Sequence, residues 1–469
     1  MEQKQTSRAS FGGSIGFVLA AAGSAVGLGN IWRFPYLAAK DGGGFFLLVY
    51  LVLAITFGFT LLTTEVAIGR FSKQSPRTAY SKVKKGWGGL GILSTIVPIM
   101  IFPYYCVIGG WVLKFFIAFL TGHNMEAAED GYFTGFITDQ YEPIIMLFVF
   151  ILICAVIIFM GVTSGIESVS KIVMPALLLI IIGIAIYSLT LKRTDADGTR
   201  TGLEGLKMLV VPSFEGMTLK KFCITIIDAM GQLFYSLSVA MGIMITYGSY
   251  VKDDNNLVKS INQIEIFDTV VAFLAGVMIL PSIYVFSGPE GMSAGASLMF
   301  VALPKIFAQM GFFGRYFGAL FFLMVLFAAI TSAMSILEAI VSVFIDRFGM
   351  SRRRSTVLVA FFCFLIAVVV CLGYNKLYFE AILPNTEPGH NAQILDIMDY
   401  ISNNVLMPIV SIATCILIGW VVKPEFVIKE VTKNGEKFGR KGLYIVMVKF
   451  VVPVLLLILL LISFGIIKF

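Results

Sequence analysis

Long apolar stretches recur along the chain, and short polar segments separate them. Each stretch is long enough for an α-helix to cross a bilayer, which takes about 20 residues, and too long for a membrane β-strand, which takes about ten. The pattern therefore predicts an all-α polytopic membrane protein with about eleven transmembrane spans. The predicted spans are 13–38, 43–69, 88–121, 143–162, 166–190, 221–250, 261–287, 314–345, 355–373, 395–422 and 441–467.

Composition supports a membrane protein and narrows its function. Hydrophobic residues make up 58% of the 469 residues and charged residues 13%, which is too apolar for a soluble domain. The six cysteines have no paired spacing, so neither a disulfide framework nor a zinc site is expected. Both histidines lie in predicted loops, and no paired catalytic carboxylates lie at membrane depth, so we do not expect an enzyme. The first apolar stretch has no small-residue cleavage site, so we expect no removable signal peptide.

Lysine and arginine are unevenly distributed between the predicted loops. With a cytoplasmic N-terminus, the inner segments hold 21 of these residues and the outer side holds 11, of which six lie in the single segment 192–221. Membrane proteins keep the larger share on the cytoplasmic side. We therefore expect the N-terminus inside and, with an odd number of spans, the C-terminus outside. The net charge of +7 then reflects topology, and we expect no nucleic-acid partner.

Two predicted spans contain glycine and polar residues at mid-membrane, where a continuous apolar helix would be expected. The first span reads GSAVGLGNIWRFPY at 23–36, and the sixth reads GQLFYSLSVAMG at 231–242. Small residues alone can serve close helix packing. Interrupted helices in corresponding positions of two halves, however, indicate a transporter site, because half-helix ends offer dipoles to an anion and free carbonyls to a cation.

The two breaks occupy corresponding positions if spans 1–5 and 6–10 are two halves of one repeat, an arrangement known from transporters built of inverted repeats. We expect the first repeat at 1–190, with spans 1–5, and the second at 191–422, with spans 6–10. A cytoplasmic loop and the eleventh span follow at 423–469.

Together with the eighth-span run FAAITSAMS at 327–335, the two broken spans resemble the neurotransmitter:sodium symporter family, in particular its bacterial amino-acid transporters. The resemblance extends from Arg8 to about residue 420. It implies the leucine-transporter fold, sodium-coupled symport by alternating access, and a multi-pass location in a bacterial-type inner (plasma) membrane. Two sodium ions and no organic cofactor are expected, while the oligomeric state stays open.

The resemblance also implies two sodium sites. The first would use Ala25, Asn30, Ser236, Asp268 and the carboxylate of the substrate. The second would use Gly23, Val26, Ala328, Thr331 and Ser332. For Thr331 and Ser332 the alternative is that each hydroxyl bonds only to its own helix.

Asp268 lies within the seventh span, and an ionisable residue inside a membrane helix indicates a functional site. Animal members of the family have asparagine at the matching position and bind chloride nearby, with Tyr50, Gln232 and Ser236 at the other chloride-site positions. The carboxylate of Asp268 would supply that negative charge itself, so we expect chloride independence. An unpaired buried carboxylate favours its protonated form, so proton counter-transport is a further hypothesis. The alternatives are a chloride-dependent carrier of osmolytes or neurotransmitter-like amino acids and, in a different class, a ligand-gated channel.

Gly27 indicates the class of substrate. Monoamine members of the family have aspartate at this position, so a glycine implies a substrate with its own carboxylate, which Tyr105 and the backbone near Leu28 and Gly29 would bind. A hydrophobic or aromatic L-amino acid is expected, with tyrosine or tryptophan favoured. The expected substrate residues are Ser24, Ala25, Leu28, Gly29, Ile101, Tyr105, Tyr235, Ser236, Ser238, Met241, Ser332, Ser335 and Ile336.

Two charge pairs would form the gates by the same resemblance. Arg33 and Asp399 would close the outer side above Tyr235, and Arg8 with Asp346 would close the inner side. For Arg8 and Asp346 the alternative is ordinary interfacial charge. The membrane-embedded Glu65 is expected to brace the broken sixth span, and Glu338 receives no role.

Overall fold

The computed structural model describes residues 9–195, 198–214, 216–288, 291–292, 295–384 and 391–467. Most of this part of the chain is helical. A two-stranded antiparallel sheet pairs β1 (Lys192–Asp195) with β2 (Gly198–Thr201). The helices of more than three residues are α1 (Ser14–Ala25), α2 (Gly29–Lys40), α3 (Gly44–Ser72), α4 (Pro76–Val83), α5 (Gly88–Thr121), α6 (Tyr132–Thr138), α7 (Glu142–Met160), α8 (Val162–Thr190), α9 (Gly202–Val210), α10 (Leu219–Ser236), α11 (Ile243–Tyr250), α12 (Leu257–Ser287), α13 (Gly295–Gln309), α14 (Phe312–Phe348), α15 (Arg352–Leu372), α16 (Ile394–Val421), α17 (Glu425–Val431) and α18 (Lys441–Ser463).

The predicted spans correspond to these helices. Within the described ranges, nine helices are individually long and apolar enough to cross a membrane, and the bent pair α1 and α2 adds a tenth crossing. The predicted sixth span is divided between α10, whose Lys220, Lys221 and Asp228 make it less apolar, and the short helix α11. The prediction of an all-α polytopic membrane protein with breaks in the first and sixth spans is confirmed.

Both breaks have visible backbone causes. The axes of α1 and α2 differ by 55°, and Val26 leaves the helix in an extended conformation with ψ of 103°. Between α10 and α11, Ser238 and Ala240 adopt positive φ angles of 53° and 65°. Side chains other than glycine rarely occupy this region. The second break is therefore a strained turn that its surroundings must hold in place.

Helix α14 is the most buried of the apolar helices and lies at the centre of the fold, whereas α18 is the least buried. Glycine residues let the backbones of helices α3 and α11 approach each other closely. A β-carbon at Gly69 would collide with the backbone of Ile245, and one at Gly248 would collide with the backbone of Val66. Small residues at such crossings let helices pack backbone to backbone in a membrane. Helix α11, the second half of the sixth span, is thereby fixed against the second span.

The residues just before α1 pack against α11 and α8. Phe11 is fully buried, its ring contacts those of Tyr247 and Tyr250, and its N–H donates to the Tyr250 carbonyl over 3.0 Å. The Gly12 N–H donates to the buried carboxylate of Glu167 over 2.7 Å. These contacts join residues 11 and 12 to α11 and to α8.

Candidate functional site

Asp268 lies fully buried on α12 at the level of both helix breaks. Its Oδ1 accepts hydrogen bonds from the Asn30 amide over 2.8 Å and from the Ser236 hydroxyl over 2.7 Å, and Tyr50 donates to its Oδ2 over 3.4 Å. In the described part of the chain, no lysine or arginine lies within 4.0 Å of this carboxylate. A charged group at membrane depth without a counter-ion is costly, so this carboxylate calls for a cation or a proton.

Three further oxygen atoms converge on the same point. The Ser236 hydroxyl oxygen lies 3.2 Å from the Asn30 side-chain oxygen and 3.5 Å from the Ala25 carbonyl oxygen. We call Ala25, Asn30, Ser236 and Asp268 the Asp268 cluster. Its donors are a carbonyl, an amide, a hydroxyl and one carboxylate, which suit a hard cation. No group of three or more His, Cys, Asp or Glu side chains that would suit a transition metal occurs among the residues described.

A second set of oxygens surrounds Ser332 on α14. The Ser332 hydroxyl lies 3.5 Å from the Gly23 carbonyl, 3.2 Å from the Ser24 carbonyl and 3.3 Å from the Val26 carbonyl. These carbonyls lack helical partners because α1 ends here. We call the four residues the Ser332 cluster. Thr331 is bonded to its own helix, with its hydroxyl 3.0 Å from the Phe327 carbonyl and 3.1 Å from the Ala328 carbonyl.

A central cavity opens between the two breaks. It takes in twelve of the thirteen residues expected to contact the substrate, and Gly27 and Asn30 as well. Ser335 does not line it, because its hydroxyl faces α11, where it accepts a bond from Tyr247 and donates to the Thr331 carbonyl, both at 2.8 Å. The lining residues are Ser24, Ala25, Gly27, Leu28, Gly29, Asn30, Ile101, Tyr105, Tyr235, Ser236, Ser238, Met241, Ser332 and Ile336.

The cavity has a polar end and an apolar end. The Tyr105 hydroxyl is buried and has no hydrogen-bond partner among the described residues. A β-carbon at Gly27 would lie 3.0 Å from the Ser332 hydroxyl and 3.4 Å from the Tyr105 hydroxyl, so glycine keeps this end open. Ile101, Met241 and Ile336 line the cavity with apolar surface. The arrangement suits a small molecule that carries one polar group and an apolar side chain.

Comparison with known proteins identifies the family. The model of the sodium:neurotransmitter symporter family matches residues 8–132 and 133–469. The chain belongs to this family. It is 32% identical over 475 residues to an uncharacterized sodium-dependent transporter of Bacillus subtilis (strain 168), with 100% of both chains covered. Human sodium- and chloride-dependent GABA transporter 2 is 24% identical over 418 residues, which cover 78% of this chain and 67% of the relative.

A solved structure has the same fold. The crystal structure of MhsT in complex with L-phenylalanine aligns with a TM-score of 0.83 at 33% identity, covering 97% of this chain and 100% of that chain. The resemblance noted from the motifs is thus confirmed. The protein is a sodium-dependent membrane symporter and not an enzyme.

The symporter braces the break in its sixth span with Glu65 of α3. This side chain is buried, and its Oε1 accepts a hydrogen bond from the Ala240 N–H over 2.6 Å. Ala240 is one of the two residues with strained backbone, so the bond satisfies an N–H that no helix can satisfy. The contact is the one expected from the sequence.

Replacing Glu65 with alanine is expected to lower the unfolding temperature of the symporter. The Ala240 N–H would lose its acceptor, which costs about 1–3 kcal/mol for a buried group. Glu65→Gln keeps an oxygen at the same place and should retain more of the stability. Thermal unfolding of both variants in one detergent measures the difference. Equal unfolding temperatures for Glu65→Ala and the wild type would contradict the brace.

The structure lacks one of the two expected gate pairs, and the other includes a residue outside the described part of the chain. Arg33 and Asp399 make no ion pair within 4.0 Å, although both residues are described. Asp399 accepts instead from the Asn403 amide over 2.5 Å, and the Asn403 amide also donates to the Tyr104 hydroxyl over 3.1 Å. On the inner side, Asp346 accepts from the Ser75 N–H over 2.6 Å. Arg8 lies outside the described residues.

The structure gives Glu338 a partner that the sequence analysis missed. Glu338 is fully buried on α14 and forms a two-bond ion pair with Arg352, at 2.6 and 2.8 Å, while Tyr250 donates to it over 2.5 Å. A buried carboxylate in a membrane helix requires a counter-charge, and Arg352 begins the next helix, α15. Three consecutive arginines stand at 352–354, and the sequence does not show which of them pairs with Glu338.

Proposed function

We propose that this symporter imports a hydrophobic or aromatic L-amino acid together with two sodium ions, by alternating access and without chloride. The observation that carries the proposal is Asp268. It is a buried carboxylate without a cationic partner and lies among hard oxygen donors. The three residues that supply those donors, Ala25, Asn30 and Ser236, also line the cavity.

The polar end of the cavity supports an amino-acid substrate. The unpartnered Tyr105 hydroxyl can donate to a carboxylate, and the backbone N–H groups at Leu28 and Gly29 lie where α2 begins, at the positive end of the helix dipole. Gly27 leaves room for the carboxylate and offers no acidic side chain to a bare amine. Ile101, Met241 and Ile336 favour an apolar side chain. MhsT, the solved relative, is in complex with L-phenylalanine.

Two ions are proposed because two oxygen clusters flank the cavity. We assign the first sodium to the Asp268 cluster with the substrate carboxylate, and the second to the Ser332 cluster with Ala328 and Thr331. Each sodium that moves inward through 100 mV releases about 2.3 kcal/mol, so two ions drive accumulation strongly. The Arg33 and Asp399 side chains are assigned to the outer gate, with Arg8 and Asp346 at the inner gate.

Chloride independence follows from the charge at position 268. A carboxylate already present beside the cation makes a second anion unnecessary. The rival is a chloride-dependent carrier of neurotransmitter-like substrates, of the kind represented by the human relative, a sodium- and chloride-dependent GABA transporter. We extend the proposal to proton counter-transport, with Asp268 returning protonated after sodium release. Uptake that ignores an imposed pH gradient of either direction would exclude this extension.

We also propose the arrangement in the membrane that the sequence suggested. The repeats are 1–190 and 191–422, with 423–469 added after them. The protein lies in a bacterial-type inner membrane, with its N-terminus in the cytoplasm and its C-terminus outside. The loop charges support this orientation.

The test is uptake into proteoliposomes of purified symporter. A panel of labelled amino acids is offered with a sodium or a potassium gradient, and with chloride or gluconate. We expect accumulation of an aromatic or large apolar amino acid that needs sodium and ignores chloride. Uptake that needs chloride would support the rival carrier, and sodium-independent, non-accumulating flux would support a channel.

Replacing Ser332 with alanine is expected to raise the sodium concentration for half-maximal uptake, roughly tenfold if one ligand bond of about 1.4 kcal/mol is lost. The Ser332 hydroxyl lies among three carbonyls of α1. Ser335→Ala is the matched control, because that hydroxyl lies one turn away and faces Tyr247. Sodium-dependence curves for both variants decide the point. A larger shift in Ser335→Ala than in Ser332→Ala would contradict the assignment of the second sodium.

A further inference from the structure

The predicted outer segment 192–221 carries six lysines and arginines on the side that should hold few. The structure separates them by environment. Arg193 of the hairpin donates to the Phe286 carbonyl over 3.1 Å. Lys207 of α9 and Lys221 of α10 line an open pocket together with Lys40 at the end of α2. Lys207 and Lys221, two of the six basic residues of this segment, thus lie on one concave surface.

The two lysines from this segment have no ion-pair partner. Lys40 is paired with Asp228 over 2.8 Å. Within the described chain, neither Lys207 nor Lys221 has a carboxylate within 4.0 Å. Gly42 and Gly43, with positive φ angles of 87° and 58°, also line the pocket. Two unpaired ammonium groups on a concave wall favour an anion.

The nearby carboxylates do not cancel this charge. Asp228 forms an ion pair with Lys40. Asp41 is 1% exposed, and burial together with the charge of Asp228 raises the pKa of Asp41 to about 7. A large share of Asp41 is therefore protonated at neutral pH. The positive charge of Lys207 and Lys221 remains available to a ligand.

Exposed apolar side chains lie at the rim of the pocket and beside it. Val211, which lines the pocket, is 52% exposed, and Phe214 beyond it is 63% exposed. The ring of Phe45 on α3 packs against Phe214 and Phe222 at 5.5 and 5.8 Å. One turn further along α3, Leu48 is exposed on the surface that faces the membrane. Positive charge beside exposed apolar surface suits a ligand that combines a phosphate with an acyl chain.

Helix α9 holds this edge in place. A capping box starts it, in which the Thr201 N–H donates to Glu204 over 2.9 Å and the Glu204 N–H donates back to the Thr201 hydroxyl over 3.3 Å. Its buried face packs on α12, where Gly205 approaches the backbone of Pro281. Lys207 is therefore presented from a fixed helix.

We propose that this pocket binds the phosphate of an anionic phospholipid in the outer leaflet, with Lys207 and Lys221 as its charge partners and an acyl chain along Phe222 and Leu48. The site goes beyond the proposed transport function and does not depend on the substrate. Because Lys207 lies on α9, which packs on α12, and Lys221 lies at the start of α10, the head group bridges α9 and α10.

The proposal is tested on the full-length symporter in detergent by thermal unfolding with added lipid. The probes are phosphatidylglycerol, phosphatidylcholine, glycerol 1-phosphate and inorganic phosphate at equal ionic strength. The double variant Lys207→Gln/Lys221→Gln is compared with Lys192→Gln/Lys220→Gln, which removes the same charge from exposed positions of the same segment that do not line the pocket.

We expect phosphatidylglycerol to raise the unfolding temperature of the wild type and of the Lys192/Lys220 variant more than phosphatidylcholine does. The Lys207/Lys221 variant should need roughly tenfold more phosphatidylglycerol for the same rise. An undiminished response in that variant would overturn the site. An equal response to inorganic phosphate or glycerol 1-phosphate would overturn the lipid and indicate a site for free anions. Native mass spectrometry that counts bound phosphatidylglycerol gives a second readout, and Lys207→Arg/Lys221→Arg should keep the wild-type count.

Discussion

Replacing Asp268 with asparagine is expected to abolish sodium-driven uptake in chloride-free medium. Asparagine can still accept a bond from Ser236, so the change removes little except the charge. A charge pair about 4 Å apart at an effective dielectric of about 20 contributes about 4 kcal/mol, which corresponds to roughly 1,000-fold in sodium affinity. Labelled-substrate uptake at rising sodium, without chloride, measures this loss.

Glu265→Gln is the matched control for that experiment. Glu265 lies one turn before Asp268 on the same helix, but its carboxylate is paired with Arg440 over 3.2 Å. Loss of the Glu265 charge should leave the sodium dependence of uptake close to that of the wild type. Adding chloride to Asp268→Asn should restore part of the uptake if an anion can take the place of the carboxylate. Normal uptake by Asp268→Asn without chloride would refute the role assigned to this residue.

Replacing Tyr105 with phenylalanine is expected to raise the KM for the substrate roughly tenfold to 100-fold, because a hydrogen bond to a carboxylate contributes about 1.5–3 kcal/mol. The stability of the symporter should not fall, since the Tyr105 hydroxyl has no partner within the described part of the protein. Binding and folding are thus separated by one substitution. Uptake kinetics and thermal unfolding on the same preparation measure both.

Tyr104→Phe provides the comparison for Tyr105. The two tyrosines are adjacent, but the Tyr104 hydroxyl accepts a bond from Asn403 at the outer gate and does not line the cavity. Its removal should change stability or gating more than substrate affinity. If Tyr104→Phe raised KM and Tyr105→Phe did not, the substrate carboxylate would have to lie elsewhere.

The features that the sequence predicted well are those dictated by the membrane itself. Bilayer thickness fixes the length of a span, so the spans could be predicted from the apolar stretches. Irregular backbone is tolerated at mid-membrane only beside a cavity or under other helices, so the two breaks could be predicted as well. The bracing role of Glu65 in the sixth span was expected, and the structure adds that its partner is the Ala240 N–H.

The features that the sequence did not predict depend on helix rotation and on conformation. Ser335 lies three residues beyond Ser332, and only the observed rotation of α14 shows that its hydroxyl faces Tyr247 and not the cavity. The distance between Arg33 and Asp399 depends on which conformation the transporter occupies, which no residue pattern records. The partner of Glu338 required knowing how α15 returns beside α14.

The glycine crossing between α3 and α11 has a mechanical consequence. Where two backbones touch without intervening side chains, neither helix can slide or tilt alone without opening a void or forcing a collision. Helix α11 and helix α3 of the second span therefore move as one rigid unit. Any displacement at the inner end of α11 reaches Glu65 on α3, and through it the strained turn beside the cavity, without passing through a flexible joint.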